Sequence, residues 1–299
     1  MLTRRTLLTT IAAGAAALPL ASAGIARADT PLAWTAFPTS EAGFLRAPVL
    51  LTGATEAILI DAGFTYSDGA AVVEAIRQSG KRLATVYVSA NDPDFYFSLV
   101  PIRKAFPAAQ ILAAPQTVEL MRRKAAGKVK AWAGKLGANG PQSVDELVFP
   151  TASTADALFV DGQRLEIVET PGTNDRGRYL WVPSLQAVFG GVLVFGGMYP
   201  WVADTATAAE RGAWLQALDG IAARKPRIVV PGHMVAGWPT DMTGVAFTRG
   251  YLVAFEQEAA KATDAAALIA AMRQRYPDAA MPVSLEIGAK VAKGEMRWG

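Results

Sequence analysis

The sequence predicts a single α/β domain with a duplicated plan. Strand-like and helix-like segments alternate in both halves of the chain, and no linker separates the halves. The chain has 299 residues, of which 52% are hydrophobic and 18% are charged. That length and composition exclude intrinsic disorder and allow a substantial core.

The segment 1–28 has the features of a cleavable export signal. Arg4 and Arg5 precede an uncharged run at 6–25, and Ala-Arg-Ala at 26–28 fits the small-x-small cleavage pattern. The arginine pair resembles a twin-arginine signal, which carries folded proteins to the periplasm, and a plain secretory signal is the alternative. We therefore expect a periplasmic protein without a permanent membrane anchor.

In the first half of the mature chain, alternating patterns predict four strands and three helices. Apolar runs bounded by turn residues predict strands at 47–52, 57–60, 83–89 and 110–113. Helices are predicted at 68–79, 93–105 and 115–128. Glycine and asparagine in 131–150 indicate a flap or an irregular connection.

In the second half, a meander precedes a capped helix. Strands are predicted at 157–160, 164–169, 179–182 and 187–194. Thr207 and Glu210 form a capping box that opens a helix with apolar residues at helical spacing. That helix ends at Lys225-Pro226, a strand at 227–230 leads into Pro-Gly-His, and two or three helices follow from 241.

Composition limits the chemistry. The chain has no cysteine and a single histidine, His233, which excludes disulfides, thiolate zinc sites and any site that needs two histidines. A metal would be held by carboxylates, carbonyls and one imidazole, a set that favours hard cations over zinc. The 29 basic residues exceed the 26 acidic ones only through three arginines of the signal. The domain at 29–299 is therefore formally neutral, and nothing supports nucleic acid as a partner.

Five landmarks occur in a fixed order along the chain. They are Ile58-Leu59-Ile60-Asp61, the loop Ser89-Ala90-Asn91-Asp92-Pro93-Asp94-Phe95, Pro171-Gly172-Thr173, Gly190-Gly191 and Pro231-Gly232-His233. Their order and spacing resemble those of the metallo-β-lactamase fold superfamily over residues 35 to 240. The resemblance implies a four-layer αββα sandwich and a relation to hydrolases of esters, lactams, lactones, thioesters or phosphodiesters.

The resemblance fails at the metal ligands. The family's ligand positions fall on Ala90, Asp92, Asp94, Phe95, Thr173, Gly191 and His233. Only Asp94 and His233 keep the family's residue type. We therefore expect no dinuclear zinc, and at most one weakly bound divalent cation at Asp92, Asp94 and His233.

These three residues each have two interpretations. Asp92-Pro93-Asp94 is a strong helix start, with an N-cap, proline at the first position and acids near the positive helix end. The same residues, with His233, could instead form a residual cation or substrate site. His233 is either a hydrogen-bonded turn residue or a pocket residue that acts as a general base or a donor.

The remaining candidates lie near the same landmarks. The aromatic residues are Phe95, Tyr96, Tyr199, Trp201 and Trp238. They either pack in the core or line a pocket for an apolar or planar ligand. The turn residues are Thr173, Asn174, Asp175 and Arg176. Asp175 is a candidate to orient His233, and Arg176 is either solvated or attracts an anionic group.

Two functions remain open. The first, slightly favoured, is a small-molecule-binding or accessory protein with an aromatic-lined pocket and no metal. The second is a divergent hydrolase of an ester, lactone or similar bond that uses Asp92, Asp94 and His233. The oligomeric state is left open.

Overall fold

The computed structural model describes residues 30–298, except for the side chain of Asn174. The predicted export signal at 1–28 lies outside the described residues. Among those that are described, no helix is long and apolar enough to cross a membrane.

Thirteen strands and eight α-helices are found within the described residues. The strands are β1 (Ala33–Ala36), β2 (Val49–Thr52), β3 (Glu56–Ile60), β4 (Arg82–Val88), β5 (Gln110–Ala113), β6 (Thr151–Ala152), β7 (Ala157–Val160), β8 (Gln163–Glu169), β9 (Arg178–Val182), β10 (Ala187–Phe189), β11 (Phe195–Gly196), β12 (Ile228–Val229) and β13 (His233–Met234). The helices are α1 (Tyr66–Ser79), α2 (Pro93–Tyr96), α3 (Leu99–Ala105), α4 (Pro115–Leu136), α5 (Ala208–Ala223), α6 (Thr243–Lys261), α7 (Ala265–Arg275) and α8 (Pro282–Ala292).

Two main sheets carry the fold. The first has the order β1-β2-β3-β4-β5-β6, and its strands are parallel from β3 to β6. The second has the order β12-β10-β9-β8-β7 and is antiparallel except for the pair β10 and β12. A small third sheet pairs β11 with β13, and this pairing brings His233 next to Phe195.

The alternation of side chains along β3 separates two layers of core. Ile58 and Ile60 lie in a cluster with Leu180 and Phe189 of the second sheet, so this cluster fills the space between the sheets. Leu59 faces the other way and packs in the cluster that contains the helices. Because both faces of a strand are buried in this way, the helices lie outside the two sheets. The predicted α/β fold and its αββα sandwich are confirmed.

Most predicted elements are present, and several boundaries are wrong. Strand β1 was not predicted. The helix expected over 93–105 is interrupted between α2 and α3, because Ser98 leaves helical geometry and binds the backbone of Gly63. Residues 131–136 continue α4 and do not form a flap. Strand β10 ends at Phe189 because Gly190 and Gly191 adopt positive φ values. The capping box of Thr207 and Glu210 is confirmed, as are three C-terminal helices.

Candidate functional site

The candidate site lies where the loops after β3, β4 and β10 meet the turn before β9 and strand β13. Parallel strands end at the same edge of a sheet, which brings the β3 and β4 loops together. Hydrogen bonds then join these loops to one another. The main-chain N–H of Ser89 donates to Asp61 Oδ1 at 2.7 Å, and the N–H of Gly191 donates to Ser89 Oγ at 2.9 Å.

Beneath the site, a fully buried arginine holds two loops. Arg46 pairs with Asp61 through Nη2 and donates through Nη1 to the carbonyl of Gly232. Its guanidinium carbon lies 3.8 Å from the ring centroid of Phe95. A charge this deeply buried needs a counter-ion, which Asp61 supplies, and the hydrogen bond to Gly232 fixes the position of the loop that carries His233.

His233 is buried in an apolar cage. Its ring stacks on Phe195, with centroids 5.1 Å apart, and meets the edge of Phe95 at 5.9 Å. Nδ1 lies 2.9 Å from the carbonyl oxygen of Phe44, so this nitrogen carries a proton and donates. Burial and the charge of Arg46 lower the pKa of His233 to about 3, and the imidazole is neutral.

Asp94 faces the free nitrogen of this imidazole. Its Oδ2 lies 3.4 Å from His233 Nε2. Burial, and then the negative charge of Asp92, raise the pKa of Asp94 to about 7. When Asp94 is protonated and the imidazole is neutral, the two residues form an uncharged contact between an acid and a base.

The carboxylate of Asp92 is held by an arginine. Arg176 Nη1 donates to Asp92 Oδ2 at 2.8 Å and to Asp204 Oδ2 at 2.7 Å, while Lys128 Nζ lies 3.8 Å from Asp92 Oδ1. Burial opposes ionisation of Asp92, but these cations outweigh it and hold its pKa below the usual value. Burial likewise opposes the charge on Arg176, yet the two carboxylates raise its pKa. One guanidinium therefore bridges two carboxylates.

The helix-start interpretation of Asp92 is correct for the backbone but not for the side chain. Asp92 takes the N-cap position of α2 with an extended backbone, and Pro93 follows at the first helical position. The side chain makes no capping hydrogen bond. It binds Arg176 instead, so the ion pair takes precedence over the cap.

Asp175 does not orient His233. Its carboxylate accepts hydrogen bonds from Thr117 Oγ1 at 2.7 Å and Asn91 Nδ2 at 2.9 Å, and it pairs with Arg178. This buried network joins α4 to the turn before β9. The partner of the imidazole is a main-chain carbonyl, which a sequence pattern does not reveal.

The aromatic candidates do not surround one pocket. Phe95, Tyr96 and Tyr199 are buried in the core. Trp238 is half-buried and packs against Phe247. Trp201 is half-buried beside Trp298.

The space at the site is small. Thr173, Arg176 and Asp204 line a cavity of about 10 Å³, which is the room that one water molecule needs. A second, open groove of about 450 Å³ lies beside Tyr87 and Arg178. Asp94 and His233 are only 9% and 6% exposed, so substrate access to them would require rearrangement of the surrounding side chains.

Three residues of the site were missed from the sequence. Arg46 had a signal, since it is a single charge inside an apolar run at 45–51. Lys128 and Asp204 had none, because they lie far from the landmarks along the chain and meet Asp92 and Arg176 only in the folded structure.

Comparison with known proteins agrees with this architecture. The model of the metallo-beta-lactamase superfamily matches residues 45–233, and the chain belongs to this superfamily. A metallo-beta-lactamase family protein from Thermus thermophilus is similar with a TM-score of 0.61 and 20% identity, over 88% of this chain and 91% of that one. A metallo-beta-lactamase from Pontibacter korlensis gives a TM-score of 0.51 and 18% identity, over 75% and 95% of the two chains. At such identities the likeness concerns the fold alone. No curated protein matches the sequence.

The residues at the site do not fit the zinc pair that the superfamily implies. Within residues 30–298, no three His, Cys, Asp or Glu side chains are grouped so that they could hold a metal ion. At the bridging position, Gly191 has φ +76°, and a Cβ there would lie 2.2 Å from the carbonyl oxygen of Arg178. The backbone therefore excludes an aspartate at this position, and Arg176 supplies the positive charge beside Asp92.

Proposed function

We propose that this chain is an exported, metal-independent small-molecule-binding or accessory protein built on a hydrolase fold. The observation that supports it is the guanidinium of Arg176 between Asp92 and Asp204, with donor–acceptor distances of 2.8 and 2.7 Å. A divalent cation at Asp92 would have to displace this bridge. We therefore propose that no dinuclear zinc is present, and that any divalent cation binds weakly.

The burial of the reactive groups supports the same proposal. A general base must reach the proton that it removes, and His233 is only 6% exposed. Its Nδ1 donates to a carbonyl and its Nε2 faces Asp94. In this arrangement neither nitrogen reaches a substrate.

A metal analysis tests the proposal most directly. Protein purified without chelators should contain well below one zinc ion per chain by elemental analysis, and addition of a chelator should leave its melting temperature unchanged. One or two tightly bound zinc ions per chain would overturn the metal-free interpretation.

Small-molecule binding is tested by tryptophan fluorescence. Small aromatic and apolar ligands should give saturable quenching, and Trp201→Ala should weaken it because Trp201 is a half-buried candidate that packs beside Trp298, which donates to Asp204 of the ion pair. Trp181→Ala is the matched control, since Trp181 is also half-buried but lies on β9 beneath Arg224. Quenching that Trp181→Ala removes and Trp201→Ala preserves would contradict this placement.

The alternative is a divergent hydrolase of an ester, lactone or similar bond. The 3.4 Å contact of Asp94 with His233 favours it, because the pair joins a carboxylic acid to an unprotonated imidazole. A panel of esters, lactones and thioesters distinguishes the two functions. Turnover that His233→Gln abolishes without a change in melting temperature would establish the hydrolase, and the binding proposal predicts no such turnover.

Export is proposed on the sequence alone. The segment 1–28 would direct the chain to the periplasm by the twin-arginine pathway. Mass analysis of the periplasmic fraction should find a chain that begins at Asp29. A full-length chain confined to the cytoplasm would refute the export signal.

A further inference from the structure

The last described residue, Trp298, packs against the outer side of the Arg176 ion pair. Its Nε1 donates to Asp204 Oδ1 at 3.1 Å, and its ring meets the ring of Trp201 at a centroid distance of 5.2 Å and an interplanar angle of 65°. One planar group thus makes an edge-type contact with an aromatic ring and a hydrogen bond to an acceptor.

The acceptor is held in a fixed orientation. Asp204 Oδ2 accepts from Arg176 at 2.7 Å, and Arg176 is itself anchored by Asp92. The other oxygen, Oδ1, is left to point at the indole. Because Arg176 and Asp204 also line the small cavity of the candidate site, Trp298 lies directly outside that site.

The segment that carries Trp298 is weakly attached. In the described part of the chain, the last main-chain hydrogen bond of this segment is donated by Met296 to the carbonyl of Lys290 at 3.2 Å. Residues 296–298 form no regular structure after α8. Trp298 remains 39% exposed, although a tryptophan with a satisfied N–H is usually well buried. Its contacts with Trp201 and Asp204 attach the end of this segment to the domain.

We propose that Trp201 and Asp204 form a recognition slot for a planar heteroaromatic N–H donor of the indole class, and that Trp298 occupies this slot until such a ligand displaces it. This inference deepens the proposed small-molecule-binding function and rests on it. The ring of the ligand packs on Trp201, and its N–H donates to Asp204 Oδ1. The internal occupant identifies the ligand class because it uses both contacts.

Competition by a tethered group lowers the apparent affinity of a free ligand by the fraction of time that the slot is open. Trp298→Ala leaves the slot open at all times. If the slot is open about one-tenth of the time in the wild type, this variant binds indole about tenfold more tightly.

Calorimetric titration with indole and with 1-methylindole tests the slot. Trp298→Ala should bind indole about tenfold more tightly than the wild type. 1-Methylindole, which has the same ring but no N–H donor, should bind much more weakly to that variant. Adding Trp201→Leu to Trp298→Ala should remove indole binding.

Met296→Ala is the matched control. Met296 is 36% exposed and belongs to the same segment, but its side chain has neither an aromatic ring nor an N–H donor with which to fill the slot, so indole affinity should match that of the wild type. Equal binding of indole by the wild type and Trp298→Ala would overturn the inference. The inference would also be overturned if Trp298→Ala bound indole and 1-methylindole equally well, or if its gain in indole affinity persisted when Trp201→Leu was added. These outcomes leave the zinc content and the hydrolysis panel unaffected, so failure of the slot is distinguishable from failure of the proposed function.

Discussion

Replacement of Arg176 by methionine removes the charge that bridges two carboxylates while keeping an unbranched side chain of similar length. In the wild type, Arg176 donates to Asp92 at 2.8 Å and to Asp204 at 2.7 Å, and the three side chains are 13%, 18% and 20% exposed. In Arg176→Met, both carboxylates stay mostly buried and lose their main partner. Asp92 keeps the weaker contact with Lys128, at 3.8 Å, and the more distant charge of Lys124.

The structure indicates a cost of about 3 kcal/mol in the free energy of unfolding. Removing one partner of a buried ion pair costs about 3–5 kcal/mol. We take the lower end because the carboxylates are partly exposed and because Lys128 and Trp298 remain. For a domain of this size, about 3 kcal/mol corresponds to a fall in melting temperature of about 5–10 °C.

The pKa of Asp92 determines how this loss of stability depends on pH. A carboxyl whose pKa is lowered on folding contributes stability above its unfolded pKa of about 3.9, and that contribution is lost as the pH falls. The pKa of Asp92 is lowered in the wild type. The gap in melting temperature between wild type and Arg176→Met should therefore be full above about pH 5 and shrink as the pH falls below about 4.

Scanning calorimetry between about pH 2.5 and pH 8 measures this gap. Arg249→Met is the matched control, because Arg249 pairs with Asp219 at 2.8 Å but both side chains are about half exposed. An exposed pair of this kind is worth about 0–1 kcal/mol. If Arg176→Met and Arg249→Met lower the melting temperature equally, or if the gap does not change with pH, the bridging role of Arg176 is refuted.

Three further variants test the surroundings of this bridge. A carboxyl whose pKa is raised on folding makes the protein less stable as the pH rises. Asp94→Asn removes the group with pKa about 7, so the melting temperature of this variant should increase relative to that of the wild type between pH 5 and pH 8. His233→Gln should show the opposite pH dependence. The folded-state pKa of about 3 makes the wild type less stable as the pH falls below about 6.5, whereas glutamine does not titrate, so the melting temperature of the variant should increase relative to that of the wild type at low pH. Melting curves at a series of pH values check both, and parallel profiles would contradict the assigned protonation states. Gly191→Ala places a Cβ 2.2 Å from the carbonyl oxygen of Arg178 at φ +76°. The control is Gly80→Ala, where φ is +65° and no atom lies within 4 Å of the added Cβ. Chemical denaturation should show that Gly191→Ala lowers the free energy of unfolding by well above the roughly 1 kcal/mol expected for Gly80→Ala. Similar losses for the two glycine variants would refute the steric argument.

The fold was predictable because its signals are local. Buried strands such as 110–113 and 157–160 are apolar runs between turn residues, and the structure reproduces both ranges. The landmarks lie at strand ends, where the topology of the sheets brings them together. This is why Asp94 and His233, separated by more than one hundred residues, are neighbours as the resemblance implied.

The partners of these residues were not predictable, because they depend on long-range geometry. Asp204 lies 28 residues after Arg176, at no spacing that a helix or strand would align. Likewise, His233 donates to the carbonyl of Phe44, and a carbonyl leaves no trace in the side-chain sequence. The aromatic residues were ambiguous for a different reason, since core and pocket select the same apolar side chains.

The charges of the site explain why the loss of metal ligands does not leave it unstable. With Asp94 protonated, the other acidic side chains of the site are Asp61, Asp92 and Asp204, and the basic side chains that pair with them are Arg46, Arg176 and Lys128. Three acidic side chains thus meet three basic ones, and the proton on Asp94 completes the balance. A divalent cation added to this arrangement would bring two uncompensated charges into a buried site, which is costly unless Arg176 leaves or Asp94 loses its proton. The arginine bridge and the neutral Asp94–His233 pair therefore act as one unit, and a return to a metal site would require changes at both.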